Sequence, residues 1–184
     1  MVAASALMTA LPGWHPFVVH FPLGLVLTAV PLFIAARLLR REALAAAAAT
    51  VGTWNLCIGA LAALFAVASG LGALLDLQVG VAARQAIALH MKWAMLTTLL
   101  LVLLAVWRGA GSAPGSRPSW VFIIFLLAAS TSLLVTSFRG ADNVYRYGVG
   151  LEKIAVRSFM APHGDRSKVF VSQPSLSASC RCSK

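Results

Sequence analysis

Three histidines lie at or near the starts of apolar segments, where a titratable ring costs free energy unless another group binds it. His15 and His20 belong to the segment WHPFVVHFPLG, and His90 lies near the start of a later apolar run. Neutral imidazole is a ligand for haem iron and also for zinc and copper. Ionisable side chains within a membrane span indicate a functional site, so these rings are the first candidates for chemistry.

The spacing of the histidines decides which of them can share a ligand. His15 and His20 are five residues apart, about 140° around a helix, so a regular helix cannot aim both at one ion. Pro16 suits the first turn of a helix, which leaves His15 before it with a ring that can fold back. His20 and His90 each lie about 6 Å inside separate helices. We therefore expect His20 and His90 to be axial ligands of a haem b, and His15 to be a further ligand or a partner of one.

Other residues of the same layer could complete a cofactor site. Arg139 and Arg146 could pair with haem propionates, and Tyr145 lies beside them in the segment FRGADNVYRYGVGLEK. This segment is too polar to span a membrane, and we interpret it as a short polar cap over the histidines. Gly70 and Gly72 could give a flat macrocycle room, although glycines in such a helix more often allow close helix packing.

Three interpretations of the histidines compete. The first is the cofactor site, with haem b as the leading group and copper or zinc as alternatives. The second is a cofactor-free structural or assembly subunit, in which the rings form hydrogen bonds between helices. The third is a proton relay or a binding site for a quinone headgroup. The sequence has no nucleophile–base pair, phosphate-binding loop or paired carboxylates within a span, so a redox or structural subunit is favoured over a stand-alone enzyme.

The composition identifies the elements that must position these rings. The chain has 184 residues, 15 of them basic and 5 acidic, with a mean hydropathy of +0.86. Runs of about 20 apolar residues are long enough to cross a bilayer as helices. The short linkers between such runs predict an all-α, up-down four-helix bundle within residues 1–155, followed by a basic, Ser-rich tail at 156–184. The predicted spans are 16–39, 47–75, 86–107 and 119–138.

The distribution of basic residues predicts the orientation. Arginines cluster where the first span ends and the third and fourth meet, namely Arg37, Arg40, Arg41, Arg108 and Arg117. Basic residues in short loops favour the cytoplasmic side, so we expect both termini on the outer, periplasmic side. The net charge of +10 suits contact with the anionic lipid bilayer. Without a nucleic-acid-binding motif it does not indicate nucleic acid.

Two motifs together resemble a family of small bacterial four-helix membrane proteins known only as a domain of unknown function. They are HPFVVHFPLGL near the start and RGADNVYRYGVGL after the fourth span. The resemblance implies a four-helix fold in the bacterial inner membrane. Some relatives resemble fusions to cytochrome-type carriers, which implies an electron-transfer setting with other membrane subunits or a periplasmic electron carrier as partners. The matching positions are His15, Pro16, His20, Pro22, His90, Tyr145, Arg146, Gly148 and Gly150.

Overall fold

Four long helices make up the computed structural model, which describes residues 14–75 and 79–149. A helical turn at 14–18 leads into the first helix, and no strand occurs within these two ranges. Each helix is long and apolar enough to cross a membrane, which confirms the predicted all-α membrane fold. The predicted tail at 156–184 lies outside the described residues. The helices are α1 (His20–Leu38), α2 (Glu42–Leu75), α3 (Val81–Ala110) and α4 (Trp120–Tyr145).

The helices pack in chain order around a ring. Helix α1 contacts α2, α2 contacts α3, α3 contacts α4, and α4 returns to α1. Helices α1 and α3 are not neighbours in this ring of described helices and lie diagonally opposite. Short connections make neighbours antiparallel. The starts of α1 and α3 therefore lie at the same end of the bundle as the ends of α2 and α4.

Small residues determine how closely the helices approach each other. Large apolar side chains also cover the outer surface of the bundle. Apolar burial drives helices together only weakly in lipid, so association depends on packing and hydrogen bonds. A Cβ atom added to Gly59 of α2 would lie 2.9 Å from Cγ2 of Val26 in α1. Val26, Phe33 and Leu126 are fully buried in the core. The bundle is thus held by close backbone approach rather than by a large apolar interior.

Arginines fasten the end of the bundle that is remote from the histidines. Arg108 is only 5% exposed; its Nε donates to Thr53 Oγ1 at 3.2 Å and its Nη1 donates to Ser116 Oγ at 3.1 Å. Its guanidinium also lies over the ring of Phe33. The Nη2 group of Arg117 donates to the Leu39 carbonyl at 2.8 Å. These bonds tie the α3–α4 loop to α2 and to the α1–α2 loop.

Helix α4 continues further than the sequence suggested. The predicted polar cap is helical through Tyr145, so its first part extends the fourth helix beyond the predicted end at 138. Helices commonly run past the hydrocarbon layer, and the polarity of this segment marks the membrane boundary rather than the helix end. Gly148, with φ of 64°, turns the chain back. The Val149 N–H then donates to the Asn143 carbonyl at 3.1 Å.

We predict that Arg108→Met destabilises the bundle by about 1–3 kcal/mol, because hydrogen bonds of a charged, buried donor are lost and their acceptors stay behind. The measurement is the midpoint of thermal unfolding in detergent. Arg40→Met is the matched control, since Arg40 is exposed. Equal midpoints for the two variants would contradict a fastening role of Arg108.

Candidate functional site

His15 packs against the last turns of α2. Its Nδ1 lies 3.0 Å from the carbonyl oxygen of Ala66 and 3.0 Å from Oγ of Ser69. The Ser69 hydroxyl itself donates to the Ala66 carbonyl at 2.9 Å, so its oxygen is available to accept from the ring. Gly70 lies under the ring, where a Cβ atom would come 3.0 Å from His15 Cε1. The absence of a side chain at Gly70 is therefore what lets the ring lie against α2.

His90 repeats this arrangement between α3 and α4. Its Nδ1 lies 3.0 Å from the carbonyl oxygen of Thr136. A Cβ atom at Gly140 would come 3.1 Å from His90 Cε1. In both halves the glycine follows the accepting carbonyl by four residues, which is one helical turn. The two helical hairpins thus bind one histidine each in the same way, a likeness that the sequence does not reveal as a repeat.

The carbonyl partners fix which ring nitrogen carries the proton. A backbone carbonyl only accepts hydrogen bonds, so Nδ1 of His15 and Nδ1 of His90 must donate. In a neutral imidazole the other nitrogen, Nε2, then holds a lone pair. Neither Nε2 atom forms a hydrogen bond with another residue in the described ranges. Metal-binding histidines are held in just this way, with the second ring nitrogen donating to a carbonyl or carboxylate.

The two rings lie in one layer of the bundle. The turn that carries His15 packs at the end of α2, His90 packs near the end of α4, and these ends lie on the same side. The arrangement therefore presents two fixed imidazoles, from diagonally related parts of the bundle, at one depth.

A buried chain of hydroxyl groups supports His90. Oγ1 of Thr97 lies 2.6 Å from Oγ of Ser132 and 3.0 Å from Oγ1 of Thr136. The Thr136 hydroxyl donates to the Ser132 carbonyl at 2.8 Å. All three residues are buried, and their bonds join α3 to α4 about two turns along α3 from the histidine. These hydroxyls fix the part of α4 whose carbonyl accepts the hydrogen bond of the His90 ring.

The structure places the remaining predicted site residues, which are His20, Arg139, Tyr145 and Arg146, in different environments. The side chain of His20 is exposed, whereas the side chains of His15 and His90 are half-buried. Tyr145 is 87% exposed, and Nε of the exposed Arg146 pairs with Asp142 at 3.2 Å. Arg139 is half-buried, with its guanidinium over the ring of Trp93. Cofactor contacts by His20, Tyr145, Arg139 and Arg146 stay predictions.

The structure adds residues that the sequence did not single out. Ser69, Thr136 and Gly140 contact the histidines directly. Of the two glycines that the sequence offered, Gly70 contacts a histidine ring, whereas a Cβ atom added to Gly72 would have no other atom within 4 Å. The sequence offers one signal, namely a glycine near the end of α2 and another near the end of α4, the two helices against which the histidines pack. The helical phase of that glycine relative to the ring is a property of packing, and no spacing along the chain specifies it.

We predict that Gly70→Ala and Gly140→Ala each lower the free energy of unfolding by about 1–3 kcal/mol, because the methyl group overpacks the ring and lengthens its hydrogen bond. Thermal unfolding in detergent measures the effect. Gly72→Ala, two residues away on the same helix, should be neutral or slightly stabilising because alanine favours the helix over glycine. A destabilisation by Gly72→Ala as large as that by Gly70→Ala would contradict the packing argument.

Comparison with known proteins gives a family but no activity. A family described as a predicted membrane protein (DUF2231) matches residues 12–153. No curated protein and no solved structure matches the chain. The matched range contains all four helices and both half-buried histidines, His15 and His90, and it covers most of the chain. The chain therefore belongs to the DUF2231 family of membrane proteins.

Proposed function

We propose that the protein is a membrane subunit of an electron-transfer complex and that His15 and His90 hold a haem b between them. The observation that carries this proposal is that both rings have the same hydrogen-bonding pattern and therefore the same tautomer. Each donates its Nδ1 proton to a backbone carbonyl at 3.0 Å, which leaves each Nε2 with a lone pair in the same layer. Two oriented imidazoles are the protein's contribution to a six-coordinate haem.

The donor set favours haem over the alternative zinc. Structural zinc takes four protein ligands and catalytic zinc takes three. No group of three or more His, Cys, Asp or Glu residues suited to a metal ion occurs within the described ranges. A haem would need only two histidines from the protein, because the macrocycle itself binds the iron. A pair of histidines is therefore a sufficient set for haem and an incomplete set for zinc, while the distinction from copper is left to metal analysis.

The protein's own residues would orient and insulate such a group. The bonds to Ala66 and Thr136 fix both ring planes, and the glycines beside them admit the rings without displacing the helices. A bound haem would supply one-electron transfer, and its partner would be another membrane subunit or a periplasmic electron carrier. This assignment uses His15 where the sequence favoured His20, because His15 is half-buried and His20 is exposed.

We also propose that the histidine layer lies on the outer side of the bacterial inner membrane, with both termini periplasmic. The opposite end carries Arg37, Arg40 and Arg41 in one short connection and Arg108 and Arg117 around the other. Basic residues in short loops favour the cytoplasmic side. An outer-side haem would be accessible to a periplasmic carrier.

A structural role without a cofactor is the second candidate, and one observation favours it. The hydrogen bonds of His15 and His90 already join neighbouring helices, and the Thr97–Ser132–Thr136 chain continues the polar contact. Hydrogen bonds between membrane helices stabilise association by about 0.6–2 kcal/mol each. In the structural role only the hydrogen bond of Nδ1 is needed and Nε2 has no function. In a cofactor site Nε2 is needed as well, and an experiment can test this difference.

We predict that His15→Asn and His90→Asn separate the two candidates. The amide nitrogen of Asn can take the place of Nδ1 as a donor to the carbonyl, but Asn has nothing in the position of Nε2. If haem is bound, either variant should lose the reduced-minus-oxidised absorption spectrum of the purified protein while keeping most of its thermal stability. His15→Ala and His90→Ala should lose both the spectrum and about 1–2 kcal/mol of stability.

His20→Asn is the matched control and should keep the spectrum of the wild type. Metal analysis of the same samples distinguishes haem iron from copper or zinc. A colourless and metal-free wild-type protein, purified from membranes supplied with haem, would refute the haem proposal. Stable Asn variants together with unstable Ala variants would then support the structural role. Loss of the spectrum in His20→Asn alone would return the ligand role to His20.

A further inference from the structure

A second polar site lies between α3 and α4, on the outer side of the bundle. A cavity of about 300 Å³ separates the first turns of α3 from the last turns of α4. Its wall on α3 is formed by Ala82, Gln85, Ala86 and Leu89, and the wall on the α4 side by Arg139, Asp142, Asn143 and Tyr147. Most of the α3 residues are exposed rather than packed in the core, so the cavity opens toward the surroundings of the bundle and not toward its interior.

Arg139 is the group in this cavity whose bonding is incomplete. Its Nε atom is buried and has no hydrogen-bond partner among the described residues. One face of the guanidinium lies over the Trp93 ring, with 6.0 Å between Cζ and the ring centroid. A buried charged donor without an acceptor is unfavourable. Arg139 lines the cavity, so its guanidinium brings to it donor capacity that the described chain does not use.

The charges around the cavity favour the binding of an anionic ligand. Asp142, the one acidic residue of the wall, is paired with Arg146 at 3.2 Å, so its charge is compensated. Among the described residues Arg139 has no carboxylate partner, and the side chains of Gln85, Asn143 and Tyr147 can add neutral donors. Guanidinium groups bind phosphate and carboxylate oxygens through two parallel hydrogen bonds. A ligand with several adjacent anionic oxygens fits this set.

The depth of the cavity identifies the source of the anion. It lies where α3 begins and α4 ends, which is the level of the headgroups for helices that cross the bilayer. A volume of about 300 Å³ is the space of about ten water molecules, enough for a phosphodiester with its neighbouring carbon atoms. Phosphodiester groups of the lipids are the anions present at this level on either side of the membrane, and arginine suits their oxygens. Leu89 and the alanines of α3 would contact the first carbon atoms of the lipid.

We propose that this cavity binds the phosphodiester headgroup of an anionic membrane phospholipid, with the guanidinium of Arg139 as the principal donor. The inference needs no cofactor at the histidines, because neither His15 nor His90 lines the cavity.

Native mass spectrometry of the full chain in detergent tests the proposal, with phosphatidylglycerol as the probe and phosphatidylcholine as the neutral comparison. The wild type should retain phosphatidylglycerol in preference to phosphatidylcholine. Arg139→Gln should weaken phosphatidylglycerol binding about tenfold, because charge-assisted hydrogen bonds are lost. Arg139→Lys keeps the charge but lacks the two parallel donors of the guanidinium, so it should weaken phosphatidylglycerol binding less than Arg139→Gln does. If the Gln variant fails to fold, the reduced binding by the Lys variant is the test.

Arg84→Gln is the matched control, since it removes the same charge from an exposed position near the start of α3, at the same end of the bundle, and it should bind lipid as the wild type does. Equal retention by the wild type and both Arg139 variants would overturn the proposal. Equal binding of phosphatidylcholine, or full displacement of the lipid by millimolar inorganic phosphate, would also overturn it. So would an Arg139 variant that shifts a cofactor spectrum and leaves the lipid affinity unchanged.

Discussion

Polar groups inside a bilayer must find partners within the protein, because the hydrocarbon offers no water, and this constraint accounts for the polar contacts between the helices. Backbone carbonyls near the ends of α2 and α4 accept hydrogen bonds from the rings of His15 and His90. Hydroxyls of Thr97, Ser132 and Thr136 satisfy one another in the interior. The helices are held in place where a polar side chain of one meets an acceptor of the next.

The two hairpins meet the constraint in the same manner. In each, a histidine near the start of one helix lies over a glycine near the end of the next and donates to the carbonyl one turn before that glycine. The glycine makes the approach sterically possible, and the carbonyl determines the tautomer. Because both hairpins place Nδ1 against the backbone, both leave Nε2 for another partner. The likeness therefore yields a pair of matched ligands rather than two unrelated contacts.

The two ends of the bundle differ in how completely their polar groups are paired. At one end Arg108 and Arg117 each bind several groups of the loops, and their donors stabilise the connections. At the other end two Nε2 atoms and the Nε atom of Arg139 have no partner among the described residues. Unused bonding capacity is concentrated at the histidine end, which is why both proposals, for a haem and for a lipid headgroup, concern this end.

The sequence by itself determined the membrane fold and the layer of the candidate site. Apolar runs bounded by charged residues are sufficient for four spans, and short linkers are sufficient for antiparallel neighbours, so histidines near the starts of the first and third spans had to share one level. Only the tertiary structure decided that His15 turns inward while His20 is exposed. Their separation of about 140° shows that they diverge, but the rotation of a helix about its own axis depends on the neighbour against which it packs. Gly70 and Gly140 became partners of the rings for the same reason: a glycine contacts a histidine of another helix only through the rotation and depth that packing gives to both helices.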